Sequence, residues 1–262
     1  MTRTTIARAL LCWALLTTAA APSAVAQPVA NGTSFFEPFD TIDPAKWYIS
    51  DGWTNGAHQG CTWLKSHVVA SGGVLQLRVT NTATKDRPYG CGEIQTTKNY
   101  GYGLYEVRMR TAAGSGLNTA MFTYMGPPNY NSHDEIDFEF LGKAPNAVQL
   151  NYYVGGQGGH ESINAVPGGA AAGYHVYAFE WTAESLKWYI DGQLVRTAAV
   201  APLPRLPTRI FLSLWMGTAQ NEDWLGRFAY PGTPITADID WIAYTAPGQA
   251  CLFPQSLRCP PG

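Results

Sequence analysis

Residues 133–140 read His-Asp-Glu-Ile-Asp-Phe-Glu-Phe, and their strict alternation decides how this chain folds. In a β-strand successive side chains point to opposite faces, so Ile136, Phe138 and Phe140 turn toward a core while Glu135, Asp137 and Glu139 line the other side. The same period of two recurs outward from this stretch. Residues 104–110 set Tyr105, Val107 and Met109 against Glu106, Arg108 and Arg110, and residues 74–80 place Leu75, Leu77 and Val79 on one face. Residues 210–215 alternate Ile210, Leu212 and Leu214 with Phe211, Ser213 and Trp215. Asp191-Gly192 lies between two strand-like runs, a hairpin signal because both residues tolerate positive φ. No window holds a helical period and no repeat or low-complexity linker is found. The expected fold is all-β: one antiparallel double-sheet sandwich of the jelly-roll kind.

Composition agrees with this reading. The 262 residues include 9 Trp, 14 Tyr and 10 Phe, and only 14% are charged, which excludes an intrinsically disordered chain. The 27 Gly and 18 Pro suit many turns joining short strands. A formal net charge of −2 offers no long-range attraction to nucleic acid or anionic lipid, so neither partner is expected. The chain is read as a monomer.

The first 26 residues have the form of an export signal. Arg3 and Arg8 open it, residues 9–21 are apolar apart from Thr17 and Thr18, and Ala24-Val25-Ala26 supplies small residues for cleavage. The run is shorter than the ~20 apolar residues of a membrane span. Cys12 follows Leu11 rather than a small residue and is not read as a lipid-attachment site. The expected layout is a signal peptide over 1–26, one domain over 27–246 and a tail over 247–262, in a secreted, extracellular or periplasmic protein. Cys61, Cys91, Cys251 and Cys259 then remain, an even set that argues for two disulfides with three possible connectivities. Pairing sequence neighbours, Cys61 with Cys91 and Cys251 with Cys259, is expected. A zinc site of four thiolates lacks the CxxC spacing.

Three carboxylates on one strand face crowd like charges and raise at least one pKa. A solvated strand would interleave Lys or Thr. An acidic exposed strand or a calcium-binding edge would also explain the triplet alone. The neighbourhood favours catalysis. Gln149, Asn151 and Tyr153 form a second alternating row, Phe122 and Tyr124 share one parity, Trp215 ends another strand, and Trp53 and Trp63 fall in Gly-rich loops. Flat aromatic faces, amides and carboxylates together suit a sugar, whose C–H faces stack while its hydroxyls bond planar polar groups. Core packing is the plainer role for any single aromatic among them, Phe122 above all.

The strand Glu135-Ile136-Asp137-Phe138-Glu139 resembles the active-site strand of glycoside hydrolase family 16, which includes the lichenases and laminarinases and has a concanavalin A-like β-jelly roll. The resemblance spans roughly residues 34–245. It includes Ser34-Phe35-Phe36-Glu37-Pro38-Phe39, Asp51-Gly52-Trp53-Thr54-Asn55-Gly56 and Tyr100-Gly101-Tyr102-Gly103-Leu104-Tyr105-Glu106. Phe122-Thr123-Tyr124, Gly158-Gly159-His160-Glu161, Lys187-Trp188-Tyr189 and Asp223-Trp224-Leu225-Gly226 extend it. Cys61-Thr62-Trp63, Cys91-Gly92-Glu93-Ile94-Gln95 and the cysteine-bearing tail look closer still to secreted rhizobial endoglycanases that trim succinoglycan.

The resemblance implies a retaining double displacement with Glu135 as nucleophile, Glu139 as acid and base, and Asp137 between them. Four residues of strand span about 13 Å whereas retaining carboxyl groups lie ~5–5.5 Å apart, so the two Glu side chains must lean together on a curved sheet. Asn55, Glu93, Phe122, Tyr124, Gln149, Asn151, Tyr153 and Trp215 match residues on the donor side of the lichenase cleft. Pro38, Gly73 and Asp240 match a structural calcium site, remote from catalysis, which itself needs no cofactor. Two positions depart from the lichenase pattern: His133 stands where Trp precedes the acids, and Gln95 stands where Arg follows the cleft Glu. Losing an indole and a forked cation reshapes a distant donor subsite. His133 is therefore assigned to the substrate cleft, as a hydrogen-bonding neighbour rather than a proton carrier.

The substrate implied is a β-linked glucan, mixed β-1,3-1,4-glucan ahead of a bacterial exopolysaccharide such as succinoglycan. A sugar-binding module and a transglycosylase are the other function classes. Weaker traces lead nowhere: His160-Glu161 lacks a second His, residues 114–116 lack a nucleophile elbow, and residues 155–159 lack the Lys of a phosphate cradle.

Overall fold

The computed structural model describes residues 29–260, so the proposed signal peptide and Cys12 lie outside the described residues. Strands β1 (Phe35–Glu37), β2 (Trp47–Ile49), β3 (Cys61–Trp63), β4 (Val68–Ser71), β5 (Val74–Val79) and β6 (Tyr89–Thr96) open the fold. β7 (Gly103–Arg110), β8 (Leu117–Met125), β9 (Asp134–Leu141), β10 (Ala147–Tyr153) and β11 (Ser162–Ala165) follow. β12 (His175–Trp181), β13 (Leu186–Ile190), β14 (Gln193–Ala198), β15 (Arg209–Met216) and β16 (Ile235–Thr245) complete it, with one helical turn α1 (Glu222–Leu225) before the last.

They form two eight-stranded sheets. One runs β14-β13-β12-β7-β16-β5-β4 with β1 added beside β16; the other runs β11-β10-β9-β8-β15-β6-β2 with β3 beside β6. Pairing is antiparallel except between β3 and β6, which run parallel. The sandwich expected from period two is thus present, with that one exception. Trp63 is a correction: it sits in β3 rather than in a loop, and it is fully buried.

The sheets close on each other through the alternating residues. Ile136, Phe138 and Leu212 of one sheet and Val107, Phe179 and Ile242 of the other are fully buried. Phe140 meets Tyr177 edge-on at 4.6 Å and Phe138 meets Phe179 at 6.3 Å across the two sheets, while Tyr105 stacks on its same-sheet neighbour Phe179 at 4.6 Å. Each such ring contributes roughly 1.5–3 kcal/mol by leaving water, which fixes the register of β9 and therefore which way its acids point. The β13–β14 hairpin turns at Asp191 (φ +47°) and Gly192 (φ +78°), as the sequence predicts.

Both expected disulfides are present, Cys61–Cys91 and Cys251–Cys259. Glu106 departs from expectation. Alternation puts it on the outer face with Arg108 and Arg110, yet it is fully buried because the tail crosses over it. Ser256 Oγ donates to Glu106 Oε2 at 2.6 Å and the Leu257 amide to Oε1 at 2.7 Å.

Candidate active site

Antiparallel register turns the outer face of the second sheet into a grid. Arg209, Tyr124, Glu135 and Tyr153 lie opposite one another across β15, β8, β9 and β10. Phe211, Phe122, Asp137 and Asn151 form the next row, and Ser213, Ala120, Glu139 and Gln149 the third. Gln95 and Glu93 extend the second and third rows onto β6.

A cavity of about 660 Å³ opens over this grid. Of the predicted residues, Asn55, Glu93, Phe122, Tyr124, Glu135, Glu139 and Trp215 line it. Asp137 lies between the two Glu residues, 2% exposed. Gln149, Asn151, Tyr153 and His133 stand beside the cavity on the β10 side and are held by other contacts. Trp224 Nε1 donates to Gln149 Oε1 at 2.8 Å, Asn151 Nδ2 to Glu161 Oε1 at 3.4 Å, and Tyr153 stacks on the His133 ring at 5.0 Å. Phe122 does both things the sequence allowed, lining the cavity and stacking on Phe211 at 4.8 Å.

The wall opposite is a loop held from several directions. Gln59 accepts the Asn55 amide at 3.1 Å and donates to the Cys61 carbonyl at 3.0 Å. Arg87 donates to the carbonyls of Gly56 and Gln59 at 2.9 and 2.7 Å. The Cys61–Cys91 bridge then ties this loop to the strand that carries Glu93. Gly92 lets that strand pass: a Cβ there would lie 2.5 Å from the His67 carbonyl oxygen.

Burial and mutual charge set the protonation of the acids. Burial first, then the charges of Glu135 and Glu139, push Asp137 well above the usual carboxylate range. Glu139 is pushed up to about 8, by burial and then by Glu135, against the opposing Asn118 amide, whose Nδ2 lies 3.4 Å from its Oε1. Burial takes Glu93 to about 7, although Ser50 Oγ donates to it at 2.6 Å. At neutral pH Glu139 therefore holds a proton it can donate, the arrangement that a general acid requires.

Several cleft residues escaped the sequence reading. Arg209 and Phe211 line the cavity, and Arg209 Nη1 donates to Gln95 Oε1 at 3.0 Å. Their parity with Trp215 was the available signal. Tyr48, Asn118, Glu161 and Trp224 join through pairings between distant strands and loops, which local patterning does not encode.

Pro38, Gly73 and Asp240 converge on a separate hollow of about 390 Å³ on the outer side of the other sheet, together with Asp40 and Arg108. Arg108 Nη1 bonds Asp240 Oδ2 at 2.5 Å. Among the described residues no three His, Cys, Asp or Glu side chains gather as a metal cluster; the hollow offers the carboxylates of Asp40 and Asp240, the second already paired with Arg108. Carboxylate oxygens are donors of the kind a hard ion such as calcium takes, and such an ion would compete with Arg108 for Asp240.

Residues 55–243 match the model of "Glycosyl hydrolases family 16". The endo-1,3-1,4-beta-glycanase ExoK of Rhizobium meliloti is 47% identical over 227 residues, covering 86% of this chain and 84% of that protein. A beta-glucanase of Bacillus amyloliquefaciens is 44% identical over 215 residues, covering 82% and 88%. The structure of Bacillus licheniformis beta-glucanase superposes with a TM-score of 0.78 at 41% identity, over 82% of this chain and 99% of that one. The matched region contains the acidic strand, the aromatic rows beside it and the disulfide-tethered wall, and the chain belongs to glycosyl hydrolases family 16.

Proposed function

We propose that the protein is a secreted, endo-acting, retaining glycosidase that cleaves β-glucosidic bonds in mixed-linkage β-1,3-1,4-glucan. The observation that carries this reading is the placement of Glu135 and Glu139 in one cavity with the buried Asp137 between them. The names of the relatives, beta-glucanase and endo-1,3-1,4-beta-glycanase, support the substrate. The cavity is an open groove walled by Trp53, Phe122, Tyr124 and Trp215, which suits binding in the middle of a chain.

In the first step a Glu135 oxygen attacks the anomeric carbon while Glu139 gives its proton to the departing glycosidic oxygen, leaving a glycosyl ester on Glu135. In the second step Glu139, now a carboxylate, takes a proton from water, whose oxygen attacks the same carbon and frees Glu135. Asp137, protonated between them, stabilises the changing charge on Glu135. A calcium ion held by Pro38, Gly73 and Asp240 would add stability and stand outside both steps.

Release of reducing ends from barley glucan, lichenan and succinoglycan, with wild type and Glu135→Gln, tests the reading. Wild type is expected to release ends from the mixed-linkage glucans and the variant to release none. Binding without release by either protein would leave a sugar-binding module. Products longer than the starting oligosaccharide would identify a transglycosylase.

A further inference from the structure

His133 lies just before β9 and shares a side with Glu135, as residues two apart in extended backbone do. Its Nε2–H donates to Glu135 Oε2 at 2.5 Å. Two ring contacts hold the imidazole there and a third bond holds its main chain. Tyr153, on β10, stacks on it with ring centroids 5.0 Å apart and planes 17° from parallel. Tyr124, on the strand flanking β9 from the other side, approaches to 4.9 Å. The Gly156 amide donates to the His133 carbonyl at 2.7 Å. A ring already stacked on Tyr153 cannot offer that face to a sugar, and its Nε2 is committed to a carboxylate. The residue is a hydrogen-bonding neighbour of the acids, as the sequence suggested, and its partner is Glu135.

We infer that His133 is a positioning residue that holds the Glu135 carboxylate in its attacking orientation. The inference rests on the reading of Glu135 as nucleophile. A glutamate has three rotatable side-chain bonds, and an attacking oxygen must be held in a near-attack geometry to realise its rate advantage. Each carboxylate oxygen carries two lone pairs, so Oε2 can accept from His133 without losing the electrons that attack. A charge-assisted bond of this kind restrains the side chain more firmly than packing does. Its hydrogen bond runs to Glu135 and its ring does not line the cavity, so its contribution falls on glycosylation of Glu135.

Two substitutions separate the donor from the ring. His133→Phe keeps a flat ring against Tyr153 and has no N–H, while His133→Gln keeps an N–H donor and has no ring. Each is compared with wild type in the rate of inactivation by a 2-deoxy-2-fluoro-glucosyl reagent, with peptide mass mapping, and in kcat and KM on barley glucan. The expected result is labelling of Glu135 throughout, inactivation and kcat slowed about 10- to 100-fold in His133→Phe with KM within threefold, and His133→Gln within about fivefold of wild type. Equal rates in His133→Phe and wild type overturn the inference. So do a His133→Gln protein as slow as His133→Phe, and a change confined to KM. Labelling of a residue other than Glu135 in wild type overturns the nucleophile assignment itself, a separate outcome from slow or fast labelling of the right residue.

Discussion

Trp224, in α1, donates its indole N–H to Gln149 Oε1 at 2.8 Å and so ties a surface turn to the row that contains Glu139. The same indole lies 6.2 Å from the Trp215 ring that lines the cavity. Trp224→Phe keeps the ring and removes the donor. Losing a single neutral hydrogen bond costs about 0.5–1.5 kcal/mol, so kcat/KM on barley glucan should fall about 2- to 12-fold, with an unchanged fold by circular dichroism. Full activity would mean that Gln149 needs no such anchor.

On the proposed mechanism Glu139 links catalysis to stability through its proton. Its pKa is raised from 4.5 to about 8 in the folded protein. Below about pH 4.5 both folded and unfolded chains hold the proton and the group contributes nothing to pH dependence. Between 4.5 and 8 the unfolded chain releases a proton that the folded chain keeps, so rising pH favours unfolding. Glu139→Gln removes this term. Its Tm should exceed that of wild type by more at pH 7.5 than at pH 5, by at least about 2 °C, while glucan hydrolysis falls by two to four orders of magnitude. An equal Tm gap at both pH values would contradict the raised pKa.

Wild-type activity should share that titration. A general acid with a pKa near 8 loses its proton above that value, so kcat/KM should decline with an alkaline limb near pH 8. Asn118→Ala removes an amide that favours the charged form and should move that limb to higher pH. A limb left in place would show that Asn118 does not set the proton affinity.

The Cys61–Cys91 bridge closes a loop with a sequence separation of 30 and ties the wall carrying Trp53 and Asn55 to β6. Replacing both cysteines with Ala should cost roughly 3–4 kcal/mol of stability, and KM should rise because that wall is released. The Cys251–Cys259 pair lies on the far face with the tail, so its removal should lower Tm without changing KM. A change in KM from the second pair would overturn this division.

The calcium site proposed at the Asp240 hollow should act on stability alone. Adding Ca²⁺ after chelation is expected to raise the Tm of wild type, by the linkage of binding to the folded state, and to leave the initial rate below Tm unchanged. Asp240→Asn should remove most of that Tm increment. A rate that follows calcium at constant temperature would move the ion into the reaction.

The acidic strand and the facing of its neighbours were legible because one period carries them, whereas Asn55 and Glu93 of the groove were legible only through the family resemblance. Glu135, Asp137 and Glu139 could be read from β9 alone, and Gln149, Asn151 and Tyr153 from β10 alone. Their juxtaposition needed register, which the turns and the buried partners of Phe138 and Leu150 decide. Arg209 and Trp224 were hidden because their roles arise from partners 114 and 75 residues away in sequence. His133 was legible as a hydrogen-bonding neighbour of the acids, because its spacing from Glu135 was visible; which acid it bonds, and the stacking on Tyr153 that sets its ring, were not. Glu106 shows the same limit, since alternation gives a face and cannot say that a distant tail will cover it.

The three acids proposed for catalysis and the aromatic filling of the core occupy alternate positions of a single eight-residue ribbon. Inserting or deleting one residue between Asp134 and Phe140 would exchange the two sets, pressing carboxylates into the hydrocarbon interior and turning phenylalanines out to water. Descendants of this gene can therefore retune the segment letter by letter, but its length is frozen, and variation in length must be sought in the loops at the rim.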